Sequence, residues 1–189
     1  MKTFIKYLLV IVLLLFGKEA SAGNVNLGVF NSPKGFGLEL ITDYAGREFN
    51  IITVYADTYG VLEGRCLYPG VKFNYTRGHN ISNFKIRNAA LDFYAGPGVT
   101  IGYARQFEPY IYKDYRKYLT RNYGAVACLS GTAGCRLGLS DNVSLDLNWT
   151  IEAGVHMRLD ENRRGLKLGL YKVGLLTALY PQLIISIAF

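Results

Sequence analysis

Metal and redox chemistry find little to work with in this sequence. Two histidines, His79 and His156, and three cysteines, Cys66, Cys128 and Cys135, are all that 189 residues offer. There is no CxxC pair and no metal-ligand spacing, so no cofactor is expected. Cys128 and Cys135 fall on one extended segment, roughly 23 Å apart and on opposite faces, and cannot pair with each other. A bridge from Cys66 to Cys128 stays open. The residue directly after Ala22 is Gly23 and not a cysteine, which argues against an N-terminal lipid anchor after cleavage there. Convincing long helices are also missing. The Gly96-Pro97-Gly98 stretch is therefore no phosphate loop, because that motif needs a helix after it. Val173–Phe189 is apolar enough to be weighed as a membrane helix, but Pro181 and its isoleucine-rich end argue against one.

What is present is alternation. In Val143–Leu159 every odd position is apolar: Val143, Leu145, Leu147, Trp149, Ile151, Ala153, Val155, Met157 and Leu159. The even positions hold no large apolar residue: Ser144, Asp146, Asn148, Thr150, Glu152, Gly154, His156 and Arg158. With half the chain hydrophobic, such a split arises by chance roughly once in 100,000 windows. Successive strand side chains point to opposite faces, so this is one long strand with an oily and a polar face. Soluble strands usually run about 5–6 residues, whereas about 9–11 tilted residues cross a bilayer. Alternation alone does not say which face is outside, since a lipocalin-type soluble barrel gives the same pattern.

The first 22 residues read as a secretory signal peptide, with basic Lys2 and Lys6, apolar Leu8–Phe16 and the small-x-small site Ala20-Ser21-Ala22. The remainder, 23–189, reads as one domain of eight strands. They are Asn24–Phe30, Phe36–Tyr44, Arg47–Tyr59, Val71–Arg77, Leu91–Arg105, Tyr123–Leu139, Val143–Leu159 and Pro181–Phe189. Glycines on the polar face of Leu91–Arg105 leave room for large neighbours inside a crowded ring. The face assignment of Arg47–Tyr59 is ambiguous, because Ile51, Ile52 and Val54 occupy both sides. Gly78–Asn88 reads as a polar connection. Leu166–Tyr180 either extends a hairpin or begins the last strand. The turn Ser140-Asp141-Asn142 pairs positions that sum to 282, which sets Leu139 against Val143 and Arg136 against Asp146.

The last strand carries Leu183, Ile185, Ile187 and Phe189 on one face, with Ile184 the apolar exception on the other. In that terminal pattern, in the signal peptide and in LDFYAGPGVTIGYAR, the chain resembles the small bacterial outer-membrane β-barrels of the OmpA, OmpX and OmpW kind. The resemblance implies an all-β fold, an eight-stranded antiparallel up-and-down transmembrane β-barrel in a Gram-negative outer membrane. It also implies that Leu183, Ile185, Ile187 and Phe189 are the signal read by the barrel-assembly machinery. An exported chain of alternating strands can cross lipid only as a closed barrel.

A barrel of eight strands is just wide enough for side chains to fill it. The polar face would carry Glu39, Lys72, Asp92, Arg136, Asp146, Glu152 and Arg158, as a paired structural plug or, alternatively, a narrow ion path. His156 is the one acid–base candidate. Some outer-membrane barrels modify lipid A with a His and a Ser, but no such motif is recognisable here, and His156 points inward by parity. No catalysis is expected. The loop Phe107–Tyr123 holds Tyr110, Tyr112, Lys113, Tyr115, Arg116, Lys117 and Tyr118, which offer stacking area and cations to a glycan, a sugar phosphate or a protein ligand. An aromatic girdle at the membrane interface explains the same residues. Without the signal residues Lys2, Lys6, Lys18 and Glu19 the net charge of +7 falls to +5, which suits lipid and lipopolysaccharide phosphates or serves ordinary solubility; nucleic acid is not an expected partner of an exported protein. Besides this structural or surface-interaction role, a small porin-like pore, a lipid A-modifying enzyme and a secreted carrier of a hydrophobic ligand are the alternatives.

Overall fold

The computed structural model describes residues 25–43, 46–63, 67–86, 89–106, 123–140, 142–159 and 165–189. Its strands are β1 (Val25–Ser32), β2 (Gly35–Thr42), β3 (Glu48–Asp57), β4 (Gly70–Ile86), β5 (Ala89–Arg105), β6 (Tyr123–Gly138), β7 (Val143–Leu159), β8 (Leu166–Leu170) and β9 (Gln182–Ala188). Two short helices, α1 (Tyr59–Leu62) and α2 (Lys172–Leu176), and a 3-10 turn (Thr177–Leu179) complete the described elements. Strands β1 to β7 pair antiparallel in succession, and β9 pairs with both β7 and β1. The hydrogen bonds therefore ring through eight strands. Strand β8 adds only to β7, along Val155–Leu159.

The ring is offset against itself. Partners followed from Phe30 through Gly37, Tyr55, Lys72, Gly102 and Val126 lead to His156. Followed the other way through Ile184, they lead to Asp146, ten residues earlier on the same strand. The two ends also differ. Connections β2–β3, β4–β5 and β6–β7 lie with Val25 and Phe189 at the short-turn end. Connections β3–β4, β5–β6 and β7–β8 lie at the loop end.

The faces sort as the alternation requires, with the polar face inside. Asn26, Glu39, Thr53, Lys72, Asn74, Thr76, Thr100, Ser130, Thr132, Asp146, Asn148 and Glu152 are buried. Leu27, Val29, Leu38, Val71, Ile101, Leu129, Ile151, Val155 and Ile185 are exposed. Glycine makes room at two crowded inner positions. A Cβ on Gly134 would come within 2.7 Å of the Tyr94 ring, and one on Gly78 within 2.6 Å of Phe49.

Four sequence expectations are resolved or revised. Of the polar connection expected at Gly78–Asn88, Gly78–Ile86 is strand: β4 runs to Ile86 and β5 starts at Ala89. A bulge at Ile81 breaks the two-residue period there, which hid the strand. Arg47–Tyr59 holds a shorter strand with Phe49, Ile51, Thr53, Tyr55 and Asp57 inward, so the aromatics and not Ile52 or Val54 belong to the interior. In Leu166–Tyr180 the hairpin extension occurs as β8, followed by α2 and the 3-10 turn. Among the described residues no helix is long and apolar enough to cross a membrane, and Gln182–Ala188 is strand, so the helical reading of Val173–Phe189 is set aside. The signal segment, Cys66 and the Phe107–Tyr123 loop up to residue 122 lie outside the described residues.

Candidate functional site

The interior charges gather in two clusters. Near the short-turn end, β6 and β7 bring Arg136 and Asp146 together in the register that the turn dictates, Arg136 opposite Asp146 and Leu137 opposite Leu145. Arg136 Nε donates to Asp146 Oδ2 over 3.1 Å, with the two residues 1% and 0% exposed. Tyr94 Oη lies 2.8 Å from Asp146 Oδ1 and in turn accepts from Asn148 Nδ2 over 3.1 Å. The guanidinium stands 5.1 Å from the Phe49 ring centre and 5.2 Å from that of Tyr94. Such stacking suits the weakly hydrated guanidinium face. Glu39 is buried nearby. Thr53 Oγ1 donates to its Oε2 over 3.5 Å, while Oε1 has no hydrogen-bond partner among the described residues.

Near the loop end the centre is Lys72. Its Nζ is 2.9 Å from Glu152 Oε2 and 3.1 Å from Asp57 Oδ2. Tyr55 Oη donates to Glu152 Oε1 over 2.9 Å, and Tyr171 Oη to Asp57 Oδ2 over 3.4 Å. The Tyr171 ring lies 4.8 Å from the Lys72 ammonium and stacks on His156 at 6.2 Å with 14° between planes. His156 Nε2 is 3.1 Å from Ala104 O. Lys34 Nζ donates to Thr150 O. That carbonyl belongs to the part of β7 that neither β8 nor β9 covers, because β9 pairs to Asn148 and β8 begins opposite Val155. Helix α2 fills this gap from Tyr171 onward: Tyr171 N donates to Gly154 O over 2.9 Å, and Gly174 packs on Glu152 too closely for a side chain.

Between the clusters runs a band of amides and hydroxyls. Asn74 Nδ2 donates to Thr100 Oγ1 (2.8 Å) and Ser130 Oγ (2.9 Å), and Thr76, Thr132 and Thr150 link hydroxyl to hydroxyl at 3.2 and 3.0 Å. Phe30, Tyr55 and Ile184 form a small apolar contact beside it. The misfit Ile184 on the inner face is thereby placed.

Of the residues singled out from sequence, Glu39, Lys72, Arg136, Asp146 and Glu152 lie in these clusters. Arg158 does not. It is half-buried at the loop-end rim, opposite Lys167 in the β7–β8 ladder. Asp92 is also half-buried and accepts from Asn83. Leu183, Ile185, Ile187 and Phe189 all point outward and are exposed. Cys128 and Cys135 carry free thiols. Tyr110, Tyr112, Lys113, Tyr115, Arg116, Lys117 and Tyr118 fall outside the described residues. Among the contributors that sequence reasoning missed are Lys34, Asp57 and Tyr171. Face parity on β3 would have found Asp57; nothing local marks the other two. Set against known protein families, curated proteins and solved structures, the chain matches none.

Proposed function

We propose that this chain is an integral β-barrel of a bacterial outer membrane, with a filled lumen and a structural or surface-interaction role rather than a catalytic one. The observation that carries the reading is the inversion of its surfaces. Lys72, Arg136, Asp146 and Glu152 are buried, while Leu129 is 74% and Ile185 57% exposed. Large apolar side chains each gain about 1.5–3 kcal/mol on leaving water, and a wall of them around the whole ring has no counterpart on soluble monomers. A lipocalin-like carrier would reverse the faces.

The dimensions support the same reading. With about 4.8 Å between strands and about 3.4 Å per residue, an offset of ten over eight strands tilts them by about 41°. The 17 residues of β7 then climb about 40 Å along the axis, more than the ~30 Å hydrocarbon core. A closed ring also leaves no open ladder inside the lipid, and Lys34 and α2 close the one gap in β7. In this reading outer-membrane lipid and lipopolysaccharide surround the wall. The outward Leu183, Ile185, Ile187 and Phe189 engage the assembly machinery. The aromatic and basic loop at 107–122 is the surface that meets an extracellular glycan or protein. The two ion clusters, stacked on a hydroxyl band, favour a plug over a pore.

The single tryptophan supplies the test. Trp149 sits outward in the middle of β7. Refolded with vesicles containing brominated acyl chains, the protein should lose most of its tryptophan fluorescence, and it should migrate differently on gels before and after boiling. A fully soluble protein with unquenched Trp149 would overturn the barrel reading.

A further inference from the structure

The β4–β5 hairpin runs past the rest of the ring at the short-turn end. The β3 ladder stops at Glu48, opposite His79, and its last bond goes from Asn80 N to Arg47 O over 2.9 Å. Strand β4 continues to Ile86, paired with β5 alone, while β6 flanks β5 as far as Leu91. Ser82–Ile86 is therefore a free edge, paired with no second strand among the described residues. The bulge at Ile81 turns Ser82 and Phe84 to the side of Phe93 and Leu91, and Asn83 and Lys85 to the side of Asp92. Phe84 meets Phe93 edge to face at 6.0 Å, yet it stays 53% exposed and Ile81 70%. Folded proteins usually cover or shorten such an edge, because it is a ready template for another strand.

We propose that this edge is the docking site for an extended, acidic segment of a soluble partner protein, added as a further strand beside β4. The proposal rests on the barrel reading, which leaves the edge in water beyond the short-turn face of the membrane. Three features choose the occupant. A row of backbone donors and acceptors is matched by another polypeptide backbone and not by lipid headgroups. On the edge itself the one charged residue is Lys85, which is exposed, while Asp92 lies one strand further in and accepts from Asn83, so opposite charge is favoured. A second copy in the same membrane cannot supply the strand. Copies that share the membrane normal would cross their β4 strands at about twice the tilt, about 82°, where no ladder forms.

The test uses the full chain in phosphatidylcholine nanodiscs, which leave both faces open. The probe is a fluorescein-labelled nonapeptide alternating valine and glutamate. Its controls are the same peptide with lysine for glutamate, and the glutamate peptide N-methylated at alternate residues. The glutamate peptide should bind about tenfold more tightly than the lysine peptide, and N-methylation should abolish binding. Amide exchange should slow at 82–86 alone. The exposed change Lys85→Glu should reverse the charge preference. Equal binding of the methylated peptide, protection elsewhere, or no saturable binding overturns the proposal. So does protection of 82–86 by phosphatidylglycerol nanodiscs without peptide, which would put the edge against lipid. Trp149 quenching by brominated lipid in the same discs separates the two claims. Quenching without peptide binding removes the docking site and keeps the barrel; binding without quenching does the reverse.

Discussion

Replacing Arg136 with Met should destabilise the folded protein by about 3 kcal/mol. At 3.1 Å the attraction between Arg136 and Asp146 amounts to about 5 kcal/mol at an effective dielectric constant of about 20. Desolvating both groups consumes most of that gain, so the intact pair contributes little net stability. Losing one partner is different, because it leaves the other charge buried and uncompensated, at a cost of about 3–5 kcal/mol. Asp146 keeps its hydrogen bond from Tyr94, which places the expected loss at the lower end. The double change Arg136→Met with Asp146→Leu removes both charges and should recover most of the loss. The assay is urea unfolding in phosphatidylcholine vesicles followed by Trp149 fluorescence, three residues along β7 from Asp146. A single variant within about 0.5 kcal/mol of the parent, or a double variant as unstable as the single, would refute the idea that this pair is a buried, mutually dependent unit.

Gly134→Ala should lower the yield of folded, heat-modifiable protein, because the new Cβ lands 2.7 Å from the Tyr94 ring. Adding Tyr94→Leu should restore part of the yield, and failure to do so would assign the loss to the β6 backbone. Leu129→Arg, at an outward position 74% exposed, should cost about 2–4 kcal/mol in vesicles. A cost near zero would mean that this wall faces water. Planar bilayers containing the parent protein should stay electrically silent, and Lys72→Ala, which breaks both the Glu152 and Asp57 contacts, is the variant expected to admit ions first. Discrete conductance steps from the parent would replace the plug with a pore. Deleting Tyr110–Tyr118 should abolish binding to lipopolysaccharide or host glycans in a pull-down and leave the gel shift intact; unchanged binding removes that loop from the surface role.

Much of the ring was legible in the sequence because a strand repeats every two residues and so reports both its length and its faces. The Arg136–Asp146 contact is the clearest case. Two strands that must keep their oily sides together across a tight turn have few registers to choose from, and only one sets that cation beside that anion. Which face was inside could not be read from β7, since polarity inverts between lipid and water while the period does not. The bulge at Ile81 concealed the end of β4, as one extra residue swaps the faces of everything after it. Lys34 and Tyr171 were invisible for another reason. Lys34 sits in a turn cluster and Tyr171 ahead of a five-residue helix. Each gains its interior position only from the gap that the short β9 leaves along β7. Contributors of that kind depend on distant pairing and leave no local periodicity to find.

The ten-residue offset shapes more than the tilt. Each step from β1 toward β7 raises the hydrogen-bonded row by about 3 Å along the axis. The rim at the loop end is thus a ramp, low at the β1–β2 turn and about 20 Å higher where β7 and β8 meet. The β5–β6 and β7–β8 connections leave from the high side, and the β1–β2 turn stays near the foot of the slope. Among the described strand ends, the rim therefore slopes like a lopsided funnel lip. In the proposed surface role, a partner docking on that face would meet the flank of β6 and β7 before the β1–β2 turn.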